Sequence, residues 1–485
     1  TGRNADAGGY FLGNKSSPWW AVALGLIGDS LSGVSYISVP GAVGKGQWHY
    51  LQVVLGYVLG YVMIIHVLLP LYYERRLTSI YGYLGQRFGP SAQRTGAAFF
   101  IISRLLGAAA RLYLAVNVFQ VFVLDEFHVP YVATAASIIL LILIYTVRGG
   151  IKTLVWTDLF QSGFLVLGVV VSVGLIAHQL DFSPGRFASA IFNSPLSTVF
   201  DTNWSAPTFW GKQLLAGAAI ALVMTGLDQN TMQKNLSCRS LRDAQKNLYT
   251  FTVVMVGVSV AILSLGVLLY EYAGHQRIAI PAQSDTLFPL LALKHLGPWA
   301  GLVFIIGLTA ATFNSADAVL TTLTTSFCLD GLGWDHDAEP SSAGKSGIPR
   351  DTLRRWIHLS FAGLLLAVLL AMPWMAQGFP VIDLVLKLAG YTGGPLLALF
   401  GLGLFTQVQL RGVIIPTICL LSALASAGLE LTVNRRPGGY RFGFELLLIN
   451  ALGCALGLWV SSRWRKLPRG DVRADLERTS PGRRD

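Results

Sequence analysis

Residues 28–41 read GDSLSGVSYISVPG and residues 224–230 read MTGLDQN. Each lies in an otherwise apolar stretch, and each combines helix-breaking residues with an acid: Gly33, Pro40 and Asp29 in the first, Gly226 and Asp228 in the second. Glycine adds backbone freedom and proline removes an amide donor, so both stretches predict a helix interrupted at membrane depth. Irregular backbone persists there only where it is buried in protein or lines a cavity, because lipid offers its amides and carbonyls no partner. Two breaks at the same position in two halves, five spans apart, are the pattern of an inverted-repeat transporter whose binding site lies between the breaks.

The rest of the chain agrees with a membrane reading. Of 485 residues, 53% are hydrophobic and only 13% charged, about half the charged share of a soluble domain. Apolar runs recur at 18–43, 48–72, 95–124, 129–147, 153–178, 209–227, 247–270, 299–327, 356–375, 381–405, 413–432 and 442–460, which predicts twelve helical spans. Long period-two alternation is absent, which argues against a β-barrel. The expected organisation is a segment 1–17, a first five-span repeat 18–178, a loop 179–208, a second repeat 209–405 with a polar loop 331–355, two further spans within 406–462, and a basic tail 463–485.

The net charge of +11 is a matter of topology rather than of nucleic-acid binding. Lys and Arg at 3, 15, 75, 76, 87, 94, 148, 152, 234, 239, 242, 246, 345, 350, 354, 355, 411 and eight positions beyond 460 fall in alternate loops and the termini, against eight (45, 186, 212, 277, 294, 435, 436, 441) in the other set. The positive-inside rule then predicts a multi-pass protein of the inner (plasma) membrane with both ends cytoplasmic. The expected surroundings are a lipid bilayer, with the chain a monomer. Four scattered cysteines form no metal or disulfide pattern. No Ser-His-Asp or phosphate-loop element suggests an enzyme.

Residues 309–326 (TAATFNSADAVLTTLTTS) form a polar stripe inside the eighth run. Positions 311, 314, 315, 318, 322 and 325 share one face at helical spacing, and the hydroxyls beside Asp317 suit a hard cation. By rise per residue, Asp29, Asp158 and Asp317 lie about 15, 9 and 20 Å into their spans. Arg104 and Arg111, seven apart, share one face of span three. Charges at such depth face protein or water. Internal ion pairs holding the bundle together would account for part of the set, Arg104 and Asp228 among it.

Five motifs then occur in order: YFLGNKSSPWW (10–20), LSGVSYISVPG (31–41), YTVRGGIKTLVWTDLFQ (145–161), DQNTMQK (228–234) and AATFNSADAVL (310–320). With these motifs the chain resembles the sodium/solute symporter family, which spans bacterial proline, sugar and sialic acid carriers and the animal sodium–glucose carriers. The resemblance implies an all-α, leucine-transporter-type core of five plus five spans with extra C-terminal helices, and sodium-driven symport of a small polar organic solute by alternating access. It implies a principal sodium site from the backbone of Gly28, Leu31 and Ala311 and the side chains of Asn314 and Ser315. A second sodium site, present in some members, would involve Asp158 and Ser315 with residues 317 and 318. Here those two are Asp317 and Ala318, so one carboxylate is gained and one hydroxyl lost. Substrate contacts would come from Ser32, Ser35, Gln52, Arg111, Asp228 and Thr231, with Arg111 at the position that binds an anion in sialic acid carriers. Asp29 stands where many relatives have a small residue. Without a fixed partner a buried carboxylate there takes up a proton more readily, so proton coupling through Asp29 remains open beside sodium, as does an uncoupled facilitator or channel of the same fold.

Overall fold

The computed structural model describes residues 16–77, 79–146, 151–334, 350–375, 380–435 and 440–462; at 145, 146, 151–154, 314–317 and 351 the description is of the backbone alone. Helix is the only regular structure among them apart from two isolated bridges, Ser17 to Cys238 and Asp201 to Phe209. In chain order the helices are α1 (Trp19–Ser30), α2 (Gly33–Gly46), α3 (Tyr50–Glu74), α4 (Gly82–Phe88), α5 (Pro90–Phe119), α6 (Tyr131–Thr146), α7 (Ile151–Gln179), α8 (Pro184–Phe192), α9 (Trp210–Gly226), α10 (Gln229–Leu236), α11 (Leu241–His275), α12 (Leu287–Lys294), α13 (Pro298–Ser326), α14 (Arg350–Met375), α15 (Val381–Phe405), α16 (Ile415–Val433) and α17 (Leu446–Val460). Eight are long and apolar enough to cross a membrane, the bent pairs α1–α2 and α9–α10 each make one more, and α6 and α17 carry shorter apolar stretches. Each of the twelve apolar runs therefore coincides with a helix or a bent pair.

Both breaks exist, and their positions refine the sequence reading. The first pair bends by 54°, with Leu31 and Ser32 between the helices; Ser32 is extended and begins α2. Pro40 does not interrupt it, since α2 runs through that residue to Gly46. The second pair bends by 64° at Leu227 and Asp228. The sixth span does not end at residue 227, because α10 continues it for 8 buried residues.

Glycines set the closest approaches. A Cβ on Gly56 of α3 would stand 2.8 Å from the Cα of Gly217 on α9, and one on Gly60 would stand 2.6 Å from the Ala218 carbonyl oxygen. No side chain fits there, so α3 and α9 meet backbone to backbone, as small residues allow in membrane bundles. On the other side of the core, Tyr36 of α2 is fully buried and stacks on Phe304 at 5.7 Å between ring centroids. Its hydroxyl would lie 2.7 Å from a Cβ on Gly168 of α7 and 2.9 Å from one on Gly307 of α13. Both glycines make room for the ring that anchors the second half of the first broken span.

Candidate functional site

A central cavity of about 60 Å³ lies against the first break. Tyr50, Tyr57 and Tyr61 of α3 line one wall, Arg104 and Arg111 of α5 another, and Ser32, Ser35 and Thr231 stand at the breaks. It adjoins a vestibule of about 510 Å³ at the end of the bundle that carries residues 180–208, and Tyr50 and Ile382 belong to both spaces. At the other end, marked by Ser17, Asp330 accepts hydrogen bonds from Ser79 (2.8 Å), Gln93 (2.9 Å) and Ser326 (3.0 Å) and ties α13 to α5 and the α3–α4 connection.

The two arginines differ in what surrounds them. Arg104 pairs with Asp228 and also donates to the Met224 carbonyl at 3.2 Å. Asp228 is an N-cap as well, its carboxylate accepting from the Thr231 amide (2.9 Å) and hydroxyl (3.0 Å). Arg111 is buried on the cavity and makes no hydrogen bond or ion pair among the described residues. One arginine is neutralised by the fold; the other keeps an open fork of donors toward the cavity.

At the first break, Ser162 of α7 donates to the Gly25 carbonyl (3.1 Å) and accepts from the Gly28 amide (2.8 Å), holding the last turns of α1. A Cβ on Gly33 would stand 3.9 Å from the Ala311 Cβ and 3.5 Å from the Thr312 hydroxyl, so α13 passes directly over the break. Ala311 thus lies over Gly33, two residues beyond Leu31. The side chains of Asn314, Ser315 and Asp317 lie outside the described residues. The threonine stripe is partly committed: Thr312, Thr322, Thr324 and Thr325 donate to carbonyls one turn back in α13, which leaves their oxygens as acceptors only.

Three positions depart from the expectations. Gln52 is off the cavity, donating to the Thr208 carbonyl at 3.2 Å; with the tyrosines facing inward, a residue two positions from Tyr50 turns about 200° away. Asp228 does not line the central cavity but a smaller chamber behind Arg104. Asp29 has a fixed partner. Lys234, read from sequence as a loop charge, is buried in α10 with its ammonium 2.6 Å from Asp29 and 2.6 Å from Asp158. A charge imbalance was the available signal, since the acids assigned to membrane depth outnumbered the bases.

Residues 10–415 match the sodium:solute symporter family. The chain is 22% identical over 445 residues to the sodium/sialic acid symporter SiaT of Proteus mirabilis, a match covering 87% of this chain and 85% of that protein. It is 26% identical over 413 residues to the sodium-coupled monocarboxylate transporter 1 of Mus musculus, covering 81% of this chain and 64% of that protein. Its fold resembles that of a Na+-coupled sialic acid symporter in a substrate-bound outward-open state, with a TM-score of 0.77 at 19% identity over 95% of this chain and 94% of that one. It also resembles Mhp1, a nucleobase-cation-symport-1 family transporter, with a TM-score of 0.54 at 13% identity over 93% of each chain.

Proposed function

The chain belongs to the sodium:solute symporter family, whose members couple solute movement to sodium, and we propose that its cargo is a small organic anion gripped by Arg111. The observation that carries this reading is the buried guanidinium on the central cavity, which makes no hydrogen bond or ion pair among the described residues. A buried cation is costly unless paired, and a cargo carboxylate supplies the missing partner in bidentate geometry. The tyrosine wall offers hydroxyls for a second polar group. A cavity of about 60 Å³ holds roughly four or five waters at one probe sphere each, a size that favours a short monocarboxylate over a nine-carbon sugar acid or a hexose.

Sodium would bind where the Gly28 and Leu31 carbonyls meet Ala311, with Asn314 and Ser315 completing the shell. Ser32, Ser35 and Thr231 would contact the solute, and Asp228 would act through Arg104 rather than by touching it. Asp29, held by Lys234, would supply charge near the sodium rather than carry a proton. The basic residues support placing both termini in the cytoplasm of a plasma-membrane protein, with the vestibule outside. The transport unit would be the single chain, a monomer.

Thermal unfolding of the purified protein with pyruvate, N-acetylneuraminate or glucose, each with and without sodium, tests the assignment. Pyruvate is expected to stabilise only when sodium is present, and Arg111→Ala to abolish that shift. A glucose shift that survives Arg111→Ala would overturn it.

A further inference from the structure

Lys234 enters the reading above only as the partner of Asp29, and its position is unusual. Its side chain is 2% exposed, and the two carboxylates it contacts are 7% (Asp29) and 0% (Asp158) exposed. Lysine is almost never buried this deeply unless paired. The three groups come from three elements: the inner halves of both broken spans and α7. Asp158 packs against α1, where a Cβ on Gly25 would be 3.2 Å from its own, and Asp29 lies two residues from Leu31. Among the described residues, two acids and one base leave the cluster one net negative charge beside the break, and Asp158 is one of the residues expected to hold a second sodium.

We propose that Lys234 is a built-in cation that takes the place of the second sodium, so that each cycle carries one sodium ion with one solute. The inference rests on the sodium-coupled reading above. An ammonium and a sodium ion are both monovalent cations that carboxylate oxygens bind, and here the ammonium sits within hydrogen-bond distance of one oxygen from each acid. The other oxygen of Asp158, Oδ1, has no hydrogen-bond partner among the described residues. A sodium bound to it would share one carboxylate with the ammonium, two like charges close together in dry surroundings where their repulsion is weakly screened. One sodium at the break balances the remaining negative charge. Unlike a cargo ion, the lysine returns with the carrier, so its charge draws nothing from the gradient.

Counting 22Na+ bound by the purified, solute-free protein in a scintillation proximity assay tests this with sodium alone as the probe. Wild type is expected to bind one sodium per chain, Lys234→Arg one, and Lys234→Gln two, because the neutral side chain leaves two facing carboxylates. Two ions on wild type would overturn the proposal, and that count does not depend on any variant folding. One ion on folded Lys234→Gln would overturn it too. No saturable sodium on wild type would instead sink the sodium-coupled reading on which the proposal stands.

Discussion

The two broken spans look alike in outline and differ in how their loose ends are treated. At the second break the freed carbonyls are taken: Tyr72 donates to Gly226 at 2.9 Å and Tyr81 to Leu227 at 2.8 Å. The Gln229 side chain accepts from the Ile80 amide at 2.9 Å, and Asp228 caps α10 while binding Arg104. At the first break Ser32 gives α2 no side-chain cap, and among the described residues no side chain donates to the carbonyl of Gly28 or Leu31. Buried backbone groups are nearly always paired. A break with its carbonyls satisfied is scaffold, and one with them exposed has room for a cation. From that contrast we propose ion binding at the first break and mechanical support at the second.

Four measurements can break or sharpen that contrast. The largest effect is expected from Arg104→Met, which strands a buried Asp228: about 3–5 kcal/mol of stability should be lost, read as early unfolding in detergent, and Arg104→Met with Asp228→Asn should recover much of it. A neutral result for the single variant would show that the second break is not scaffold. Tyr72→Phe with Tyr81→Phe should cost about 1–3 kcal/mol for each carbonyl left bare, while sodium affinity holds; a large loss of sodium affinity would erase the distinction between the breaks. Ser162→Ala should show the reverse pattern. It removes the group holding Gly25 and Gly28, so stability should fall by only about 1 kcal/mol while half-saturating sodium rises several-fold.

The smallest effect concerns Asp285, at the vestibule and outside the spans. Burial pushes its carboxyl up to about 6, opposed by the hydrogen bond it accepts from the Val381 amide. A folded-state value above the unfolded one means the folded chain holds this proton more tightly. Its contribution to stability is therefore complete below about 4 and lost as pH rises through 6. Asp285→Asn should flatten the stability profile between pH 4 and 6 and raise stability at pH 7.5 by about 1 kcal/mol, after allowing for solvent contact. An unchanged profile would show that another group titrates there.

Both breaks could be read from the chain because Gly33 and Gly226 stand beside acids inside apolar runs, a combination lipid does not tolerate. Arg104 and Arg111 were placed on one face by a seven-residue spacing, and both reach the cavity. What periodicity could not convey was the far end of each contact. Gln52 looked like a ligand by family position, yet its own helix turns it toward Thr208. Lys234 follows a run of polar residues and reads as loop; only the fold brings Asp29 and Asp158 from far along the chain to surround it. Pro40 looked like a breaker but is absorbed within α2. Local chemistry announces where a helix is disturbed, whereas partner choice is a property of three-dimensional packing.

The glycine contact between α3 and α9 has a mechanical consequence. Backbones pressed together without intervening side chains cannot slide without collision, so these two helices should travel as a single stiff plate. The flexing that exposes the site to one side and then the other has to be concentrated elsewhere, and the interruption at Leu31 and Ser32 is the joint best placed to bear it. A bulky residue at Gly56 would then act as a shim, shifting the angle between moving parts and thereby the fraction of time spent open to each side, even though it touches neither ion nor solute.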